Sequence, residues 1–508
     1  MSFLLIHPPL VKPCEAPPGL AVLAGALGSR SIPFTILDAN IEGILYLISL
    51  GSPVSDTWTK RALRHRAENL NAMRRGKLYA NLDRYKRTIA DLNRLLQVQG
   101  MKQGIHISFS DYQDGSRSPV RSDDLIEAYR HPEDNLFYPY FEERIPLLFD
   151  RFAPRTVGFS INFLSQALTA FAMIGYIRSR VPSVTIAAGG GLITSWMRNP
   201  CWSDPFSGII DILVDGPGEG PLVELSGKEF TTGDQVPDYS ALPLPSYLSP
   251  GFIMPFSASR GCYWQRCSFC PERAEGNPYA PLPPLETAQN LGKLTQFWDP
   301  ALIHIVDNAM SPALLEAIVR NPPGAPWYGF ARISELLAEP DFCVALKQSG
   351  CTMLKIGLES GSPRVLEEMD KGITLETASK ALHILKKAGI ATYCYLLFGT
   401  PFEKEEDAKM TLDFVVRHHE SIGFLNLALF NLPAYGPDAA FLELNSFYEG
   451  DLGLYRPFRH PRGWERPAVR AFLEKRFKRH PAIAPIIRRD PPFFSSNHAP
   501  FFCMTGMT

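Results

Sequence analysis

Three cysteines lie within nine residues just past the midpoint of the 508-residue chain, in the segment Ser259–Cys270. Their spacing, C-x4-C-x2-C, leaves no room for a helix or strand between them, so a loop can bring the three thiols to one face. Three thiolates suit a four-iron cluster, because each holds one iron and the fourth iron keeps an open position. A structural zinc site normally requires a fourth protein ligand, and no Cys-x-x-Cys or histidine pair follows at a usual spacing. The motif therefore favours an iron–sulfur cluster over zinc.

Composition limits the compartment and the partners of the chain. Nine cysteines, an odd number that is unevenly spread, do not suggest a disulfide framework and fit a reducing compartment. A formal net charge of −1 gives no general attraction to nucleic acid or acidic lipid. The N-terminus, MSFLLIHPPL, lacks the basic region of a signal peptide, and no apolar run reaches the ~18 residues of a membrane span. We therefore expect a cytoplasmic protein of two or three domains that does not bind nucleic acid.

The N-terminal part of the chain alternates short apolar runs with helical patterns. Residues 3–7 and 34–37 predict strands on either side of a helix over 18–30, which is a β-α-β unit of a parallel sheet. The pattern resumes with strands predicted at 156–161, 184–188 and 209–214 and a helix at 165–180. Each strand ends in small or glycine-rich residues, so these loops share the carboxyl edge of the sheet, where open α/β folds bind ligands. We predict a doubly wound Rossmann-like domain over residues 1–237.

Two other segments belong to this half of the chain. An insertion over about 44–154 begins with a basic helical stretch at 55–98, which is more simply the solvated face of amphipathic helices than a contact for RNA or an acidic substrate. Residues 112–146, with their aromatic and acidic side chains, are expected to be irregular. Residues 238–251 are rich in Pro, Leu and Ser and are predicted to be a linker.

A second α/β domain is predicted over residues 252–436. Helical patterns alternate there with strands predicted at 256–259, 302–306, 327–333, 353–358, 392–398 and 425–430. Six strand–helix units make a partial (β/α)6 TIM-like barrel, whose chemistry belongs at the C-terminal ends of the strands. The three cysteines follow the first strand, at that end. In the C-terminal extension, 437–508, Asn497 and His498 could reach the barrel mouth, or the tail could cap the barrel bottom.

The cysteine loop resembles that of radical S-adenosylmethionine (radical SAM) enzymes, which is usually written C-x3-C-x2-C with an aromatic residue before the last cysteine. Phe269 occupies the aromatic position, and one extra residue stands between the first two cysteines. Later strand ends resemble the family in order, with VDN at 306–308, GLESGS at 357–362 and FGTPFE at 398–403. The resemblance implies that a 4Fe–4S cluster is held by Cys262, Cys267 and Cys270. It also implies that SAM is bound by Phe269, Asp307, Asn308, Arg332, Glu359, Ser360 and Gly399.

Several of these residues also have purely structural interpretations. Asp307 could form a turn and Glu359 could cap a helix. Arg332 could pair with the SAM carboxylate or with Glu359. Cys351 and Cys394, on predicted barrel strands, are expected to be core thiols rather than hydrogen donors.

The order of the N-terminal loops resembles the cobalamin-binding domain that precedes the barrel in one large radical SAM subgroup. Counterparts are the Pro-Pro loop after the first strand, the Asp38-Ala39-Asn40 turn, the triple-glycine loop and the G-E-G loop. Asn40 stands where the histidine of the Asp-x-His-x-x-Gly motif would be, so this position offers no histidine lower ligand. The resemblance implies cobalamin binding by Pro8, Pro9, Ser160, Asn162, Gly189, Gly190, Gly191, Gly216, Gly218 and Glu219. The alternative is a flavodoxin-like domain that has lost its ligand.

The resemblance implies reductive cleavage of SAM to methionine and a 5′-deoxyadenosyl radical, which abstracts hydrogen from the substrate. An electron donor such as flavodoxin or ferredoxin would be a partner. With cobalamin, the expected reaction is methylation of an unactivated carbon of a small-molecule or peptide substrate. A second hypothesis is a radical SAM enzyme without cobalamin, whose N-terminal domain binds substrate. A third is a non-catalytic iron–sulfur or zinc scaffold, which has no need of the strand-end motifs.

Overall fold

The computed structural model describes residues 2–51, 56–231, 236–445, 449–492 and 498–503. The chain divides into two compact units, Met1–Ser249 with Tyr448–Leu454 (unit 1) and Pro250–Phe447 with Tyr455–Thr508 (unit 2). Among the residues described, no helix is both long enough and apolar enough to cross a membrane.

Unit 1 alternates strands and helices around a parallel sheet. Its strands are β1 Phe3–His7, β2 Phe34–Asp38, β3 Ile105–Ile107, β4 Tyr112–Asp114, β5 Thr156–Ser160, β6 Thr185–Gly189 and β7 Ile212–Leu213. Its helices are α1 Pro18–Ser29, α2 Ala39–Ser49, α3 Thr57–Arg64, α4 Arg66–Met73, α5 Gly76–Tyr79, α6 Leu82–Gly100, α7 Ser122–Arg130, α8 Tyr138–Phe152, α9 Leu164–Arg180, α10 Gly191–Met197 and α11 Glu219–Leu225.

The sheet of unit 1 has the strand order β2-β1-β5-β6-β7, and every pairing is parallel. All five residues of β1 are buried, as expected for a parallel strand covered on both faces. Without the β3–β4 hairpin this is the flavodoxin-like order 2-1-3-4-5, in which ligands bind where the strand order reverses, between the first and third strands. The predicted Rossmann-like fold is confirmed, and the reversal point of its strand order lies between β1 and β5.

The insertion between β2 and β5 is more helical than we predict from the sequence. Residues 112–146 were expected to be irregular, but they contain α7 and most of α8. Pro139 lies in the first turn of α8, where the missing N–H costs nothing. Gly175 lets α9 approach α7 closely, since a Cβ there would lie 1.9 Å from the carbonyl oxygen of Tyr129.

The segment that we predict as a linker is packed over most of its length. Tyr239, Leu242 and Leu248 are buried, and residues up to Ser249 belong to unit 1. The Tyr247 hydroxyl donates a 2.6 Å hydrogen bond to the carboxylate of Asp38, at the end of β2. Apolar side chains at 239, 242 and 248 therefore anchor this proline-rich stretch to the sheet domain.

Unit 2 contains the second α/β domain and most of the C-terminal extension. Its strands are β8 Ile253–Phe256, β9 Ser259–Arg260, β10 Ala280–Pro281, β11 Leu302–Met310, β12 Trp327–Ala331, β13 Cys351–Glu359, β14 Ala391–Phe398, β15 Phe424–Leu429, β16 Leu432–Pro433 and β17 Tyr455–Arg456. Its helices are α12 Pro271–Ala274, α13 Pro284–Trp298, α14 Pro312–Arg320, α15 Pro340–Gln348, α16 Pro363–Glu368, α17 Leu375–Lys387, α18 Glu405–His418, α19 Arg466–Phe472, α20 Ala484–Arg489 and α21 Pro500–Cys503.

Six parallel strands form the barrel sheet, in the linear order β15-β14-β13-β12-β11-β8. The predicted partial (β/α)6 barrel is confirmed. One side chain from near the start of each strand joins a single buried cluster: Ile253, Leu302, Tyr328, Met353, Tyr393 and Phe424. Since these residues come from both edges of the sheet and from every strand between, they meet inside the barrel and form the floor of its lumen. Cys351 and Cys394 are fully buried core thiols.

The end of the chain closes the barrel from below. Ala499 belongs to the floor cluster, and the buried ring of His498 lies 4.4 Å from those of Tyr393 and Phe424. The His498 Nε2 atom is 2.6 Å from a carboxylate oxygen of Asp490. His498 therefore caps the bottom and does not reach the mouth. Asn497 lies outside the described residues.

We predict that His498→Ala lowers the stability of unit 2, because it removes two ring contacts and a buried hydrogen bond to Asp490. The expected loss is about 1–3 kcal/mol. Thermal unfolding followed by circular dichroism measures it. His106→Ala, on the exposed side of the β3–β4 hairpin, is the control and should leave the midpoint unchanged. Equal midpoints for the two variants would show that the tail does not support the barrel.

Candidate functional site

The three cysteines follow β8 at the C-terminal end of the barrel strands. Cys267 is buried, and Cys262 and Cys270 are half-buried. No group of three or more His, Cys, Asp or Glu side chains within the described ranges is gathered tightly enough to hold one metal ion. A cubane cluster does not require such a gathering, because each cysteine binds a different iron.

The cysteine loop is held by a distant turn, residues 369–372. The indole N–H of Trp264 donates to the carbonyl of Asp370 at 2.9 Å, and the Ser268 amide donates to that of Met369 at 3.0 Å. Gly372 has φ +67°, and a Cβ there would lie 2.0 Å from the indole of Trp264. The turn therefore needs glycine both for its backbone angle and for the space that the tryptophan occupies.

Two positively charged side chains, Arg332 and Lys371, lie near Cys267, the most buried of the three loop cysteines. The Arg332 guanidinium donates to Cys267 Sγ at 3.7 Å and to the carbonyl of Lys371, and it lies 4.2 Å from the centre of the Trp264 ring. Burial raises the pKa of Cys267, while the charges of Lys371 and Arg332 lower it. Burial also raises the pKa of Cys270, to about 11. Both thiols are therefore protonated at neutral pH unless a metal displaces the proton.

Glu359 and Lys371 form an ion pair beside the cysteine loop. Their Oε1 and Nζ atoms are 2.7 Å apart, and the side chains are only 12% and 7% exposed. Gly357 makes room for this pair, because a Cβ there would lie 2.4 Å from the glutamate oxygen. The Lys371 ammonium also lies 5.5 Å from the centre of the Phe269 ring. Glu359 has φ +64°, outside the helical range, and its partner is Lys371 rather than Arg332.

Asp307 is a buried residue that links two strands through hydrogen bonds. We predict it in the loop after its strand, but β11 continues through Met310 and includes it. Its carboxylate accepts hydrogen bonds from the Ala258 amide, at 2.7 Å, and from the Ser259 hydroxyl, both directly before the cysteine loop. Burial raises the pKa of Asp307, and these hydrogen bonds oppose the rise. The adjacent Asn308 is exposed at the same edge.

The loops after β13 and β14 are tied to α18 and the C-terminal extension. The Gly361 amide donates to the Thr411 hydroxyl at 2.8 Å, and Ser360 is fully buried beside it. The Gly399 amide donates to Glu403, whose same oxygen accepts the Trp464 indole N–H at 3.0 Å. The second oxygen of Glu403 is buried and has no hydrogen-bond partner. Burial, partly opposed by those two donors, raises the pKa of this carboxyl to about 8.

The predicted ligand edge of unit 1 is built from loops bonded to one another. The Gln166 side chain donates to the carbonyl of Pro8 at 2.8 Å and accepts from the Asn162 amide at 2.8 Å, so it joins the loops after β1 and β5. The Asn162 side chain donates to the Ser160 hydroxyl at 3.1 Å and accepts from the Gly191 amide at 3.0 Å. The loop that contains Pro9 thus lies beside β5, at the reversal point of the strand order.

Glycines shape the remainder of this edge. Gly190 has φ +105°, and a Cβ there would lie 2.6 Å from the carbonyl oxygen of Ile161. Gly216 has φ +79°, and its amide donates to the Thr194 hydroxyl at 2.9 Å. Gly189 ends β6, Gly218 precedes α11, and Glu219 begins α11 with only 3% of its surface exposed. The glycines leave the ends of strands β6 and β7 free of bulky side chains.

Sequence reasoning missed several residues that build these sites. Lys371, Gln166 and Glu403 were not assigned roles from the sequence. An acidic residue and a lysine twelve positions apart give no local signal, because β13 and α16 bring them together only in the folded barrel. Gln166 had a detectable signal, since it is a polar residue in the apolar helix α9 and is fully buried.

Comparison with known proteins agrees with this architecture. Residues 256–415 match the model of the Radical SAM superfamily. An uncharacterised methyltransferase of Pyrococcus horikoshii is 26% identical over 189 residues, which are 35% of this chain and 40% of that protein. The hopanoid C-3 methylase of Methylococcus capsulatus is 23% identical over 290 residues, which are 50% of this chain and 55% of that protein. The chain thus matches about half, or less, of the length of these relatives.

A solved structure resembles nearly the whole chain. It is TsrM from Kitasatospora setae, a radical SAM methyltransferase solved with cobalamin and a 4Fe–4S cluster bound. The TM-score is 0.54 and the sequence identity is 17%, with 97% of this chain and 91% of that one covered. At this identity the likeness shows the fold: a Rossmann-like sheet domain followed by a partial (β/α)6 barrel.

We predict that Gly372→Ala detaches the cysteine loop from its turn, because the new methyl group occupies the place of the Trp264 ring. Cys267 should then react with iodoacetamide severalfold faster in the metal-free protein, and less iron should be retained after reconstitution. Mass spectrometry of the labelled peptide and an iron assay measure both effects. Gly276→Ala is a matched control, since Gly276 has φ +66° and a Cβ added there would meet no atom within 4 Å. Equal labelling in the two variants would contradict the docking role.

We predict that Glu403 makes the barrel less stable as pH rises. Its folded pKa, about 8, lies above the ordinary value of 4.5, so the folded state holds the proton between these pH values while the unfolded state releases it. Stability should fall over that window by at most about 1.4 kcal/mol per pH unit. Glu403→Gln should flatten the decline of the melting temperature between pH 5.5 and 8, and the exposed Glu367→Gln should not. The same slope in both variants would refute the assignment.

Proposed function

We propose that this chain, whose residues 256–415 form a radical SAM domain, is an enzyme that cleaves S-adenosylmethionine reductively and methylates an unactivated carbon with the help of cobalamin. The observation that carries the proposal is the cysteine loop at the C-terminal end of the barrel. It is fixed to the turn at 369–372 and bordered by the buried cations Arg332 and Lys371. Such a site suits a negatively charged cluster with thiolate ligands.

The barrel residues fit a 4Fe–4S cluster held by Cys262, Cys267 and Cys270. When bound, the cluster supplies the electron that splits SAM and so gives the radical that abstracts hydrogen. Arg332 offers an N–H to a cysteine sulfur and a positive charge to offset the thiolates. Because Asp307 holds the residues before the loop, it fixes the direction from which the cysteines project.

The strand-end residues would shape the SAM site around that loop. Asn308 is exposed, and the amide of Gly399 is already used by Glu403. We assign Asn308 and the surfaces of Phe269 and Glu359 to direct contact with SAM. Ser360 and Gly399 would act by holding their loops in shape, since Ser360 is fully buried beside Thr411.

Unit 1 fits a bound cobalamin at the ends of β1 and β5. When bound, cobalamin supplies the methyl group. Asn40 replaces the histidine of the base-off motif and is committed to structure, because its side chain accepts the Val11 amide at 2.8 Å and is 2% exposed. The side chain at position 40 therefore does not provide a lower ligand to cobalamin. The hydrogen-bonded loops at Pro8 and Asn162 would instead bind cobalamin through the complementary shape of their surfaces. That TsrM was solved with cobalamin supports this assignment.

The partners follow from this chemistry. The names of the relatives and of TsrM favour methyl transfer, and TsrM has also been solved with tryptophan substrate and a SAM analogue bound. For this chain we propose a small-molecule or peptide substrate and a flavodoxin or ferredoxin as electron donor. We propose a cytoplasmic location because thiolate ligands of a cluster and free thiols need a reducing compartment.

The test is anaerobic reconstitution with iron, sulfide and cobalamin, followed by removal of unbound cofactor. We expect about four irons and four sulfides per chain, a retained corrinoid absorption band, and 5′-deoxyadenosine on addition of SAM and a reductant. The triple variant with Cys262, Cys267 and Cys270 changed to alanine should lose the iron and the SAM cleavage. It should keep the corrinoid, which is bound by the other unit.

Cys201→Ala, an exposed cysteine of unit 1, is the control and should keep both cofactors. A cluster without retained corrinoid would favour an enzyme whose N-terminal domain binds substrate. Zinc in place of iron would refute both enzyme hypotheses.

A further inference from the structure

Trp264, in the cysteine loop, contacts one buried and one exposed arginine. The guanidinium carbon of Arg332 lies 4.2 Å from the centre of the indole ring, and that of Arg266 lies 5.0 Å from it. Arg332 is only 9% exposed, whereas the side chain of Arg266 is 61% exposed and pairs with Asp370. An aromatic face attracts a guanidinium more strongly where water is excluded. The contact with Arg332 is therefore the stronger of the two.

The turn at 369–372 fixes the indole of Trp264 in place. The indole N–H donates to the carbonyl of Asp370 at 2.9 Å, and the ring fills the space in which a Cβ of Gly372 would lie. Gln265, the next residue, has φ +52°, a left-handed conformation that residues other than glycine adopt only at a cost in free energy. The loop thus accepts an unfavourable backbone conformation beside the residue that it presents to the turn.

The guanidinium of Arg332 points to a cysteine assigned to the cluster. It donates to Cys267 Sγ at 3.7 Å and to the carbonyl of Lys371, and it is hydrogen-bonded to the side chain of Tyr263. A guanidinium is planar, permanently charged and carries its N–H groups in a fixed arrangement. Its contacts with the carbonyl and with the face of Trp264 therefore determine which N–H group is directed at the sulfur.

A positive charge and an N–H donor at a cysteine sulfur stabilise the more negative state of a bound cluster. The reduction potential of such a cluster depends on hydrogen bonds to its sulfurs, on the charge around it and on its exposure to water. The charge of Arg332 acts more strongly because the residue is buried. If the guanidinium turned away from Cys267, the potential would fall. Water in place of the indole would raise the potential, so the sign of the change separates the two effects.

We propose that Trp264 is a positioning residue for the cluster: its ring keeps the guanidinium of Arg332 directed at Cys267, and this contact raises the reduction potential of the cluster. The inference rests on the proposed function, because it concerns the cluster that the three loop cysteines are assigned to hold. It gives the tryptophan of the loop a part in how easily the cluster accepts an electron. A donor of less negative potential can then reduce it.

The test is an anaerobic redox titration of the reconstituted full chain without SAM, followed by the EPR signal of the reduced cluster. We expect Trp264→Leu to lower the ratio of reduced to oxidised cluster at a fixed potential at least threefold, a shift of about 28 mV at 59 mV per factor of ten. Trp264→Phe, which keeps an aromatic face, should shift the potential less. Phe297→Leu, at a 78% exposed aromatic residue of α13, is the control and should leave it unchanged.

A double-mutant cycle tests whether Trp264 acts through Arg332. Arg332→Leu should lower the potential at least as far as Trp264→Leu does. The variant with both changes should have the same potential as Arg332→Leu alone, because the guanidinium that the indole positions is already gone. If Trp264 only kept the loop folded, its replacement would shift the potential equally with and without Arg332.

An unchanged or raised potential in Trp264→Leu, or an equal shift with and without Arg332, would overturn the proposal. If Trp264→Leu retains no cluster, Trp264→Phe replaces it in the cycle and should lower the potential only when Arg332 is present. Loss of the cluster from both variants would make the tryptophan a structural residue and also overturn the proposal.

Iron and sulfide are counted in every variant before the titration. A wild-type chain that assembles no cluster would overturn the proposed function and this inference together. An intact cluster whose potential does not respond to Trp264→Leu would overturn this inference alone.

Discussion

The contact between the cysteine loop and the turn at 369–372 is the constraint on which the rest of this site depends. The loop has little secondary structure of its own, and its anchor at Asp370 is 106 residues away from Trp264 in sequence. Closing a loop of this length costs conformational entropy, which only the contacts of the folded barrel can offset. The barrel must therefore form before the cysteines acquire a fixed arrangement, and the cluster ligands owe their geometry to β13 and α16 as much as to their own spacing.

The fold was predictable because its signals are local. Short apolar runs alternate with helical patterns along both units, and this alternation is typical of parallel sheets. Two parts of the fold were not settled by the sequence. The helices α7 and α8 carry aromatic residues and prolines that weaken a helical pattern, and tertiary packing against α9 decides their conformation. The bottom cap was one of two alternatives for the tail, because the contacts of His498 with Tyr393 and Phe424 have no counterpart in the adjacent sequence.

For the candidate site, only the residue types and their order along the chain could be predicted from the sequence. The cysteines and the motif at 357–362 could be identified, because each is a compact pattern within a few residues. The side-chain pairings could not be predicted, because they join positions in different elements of the barrel. Glu359 pairs with Lys371 and Arg332 with Cys267, whereas an Arg332–Glu359 pair was one of our expectations. The difference matters electrostatically, because Glu359 offsets the lysine and leaves the arginine as the cation in contact with a cysteine sulfur.

This division of charge has a consequence for the barrel as a whole. A thiolate-held cluster is anionic, and SAM brings both a carboxylate and a sulfonium, so the mouth must balance several charges in little water. Arg332 and Lys371 do this at the cysteine loop, and Asp307 is buried and hydrogen-bonded to two groups before that loop. Because Glu359 already offsets the charge of Lys371, the guanidinium of Arg332 is the group that offsets a thiolate at Cys267.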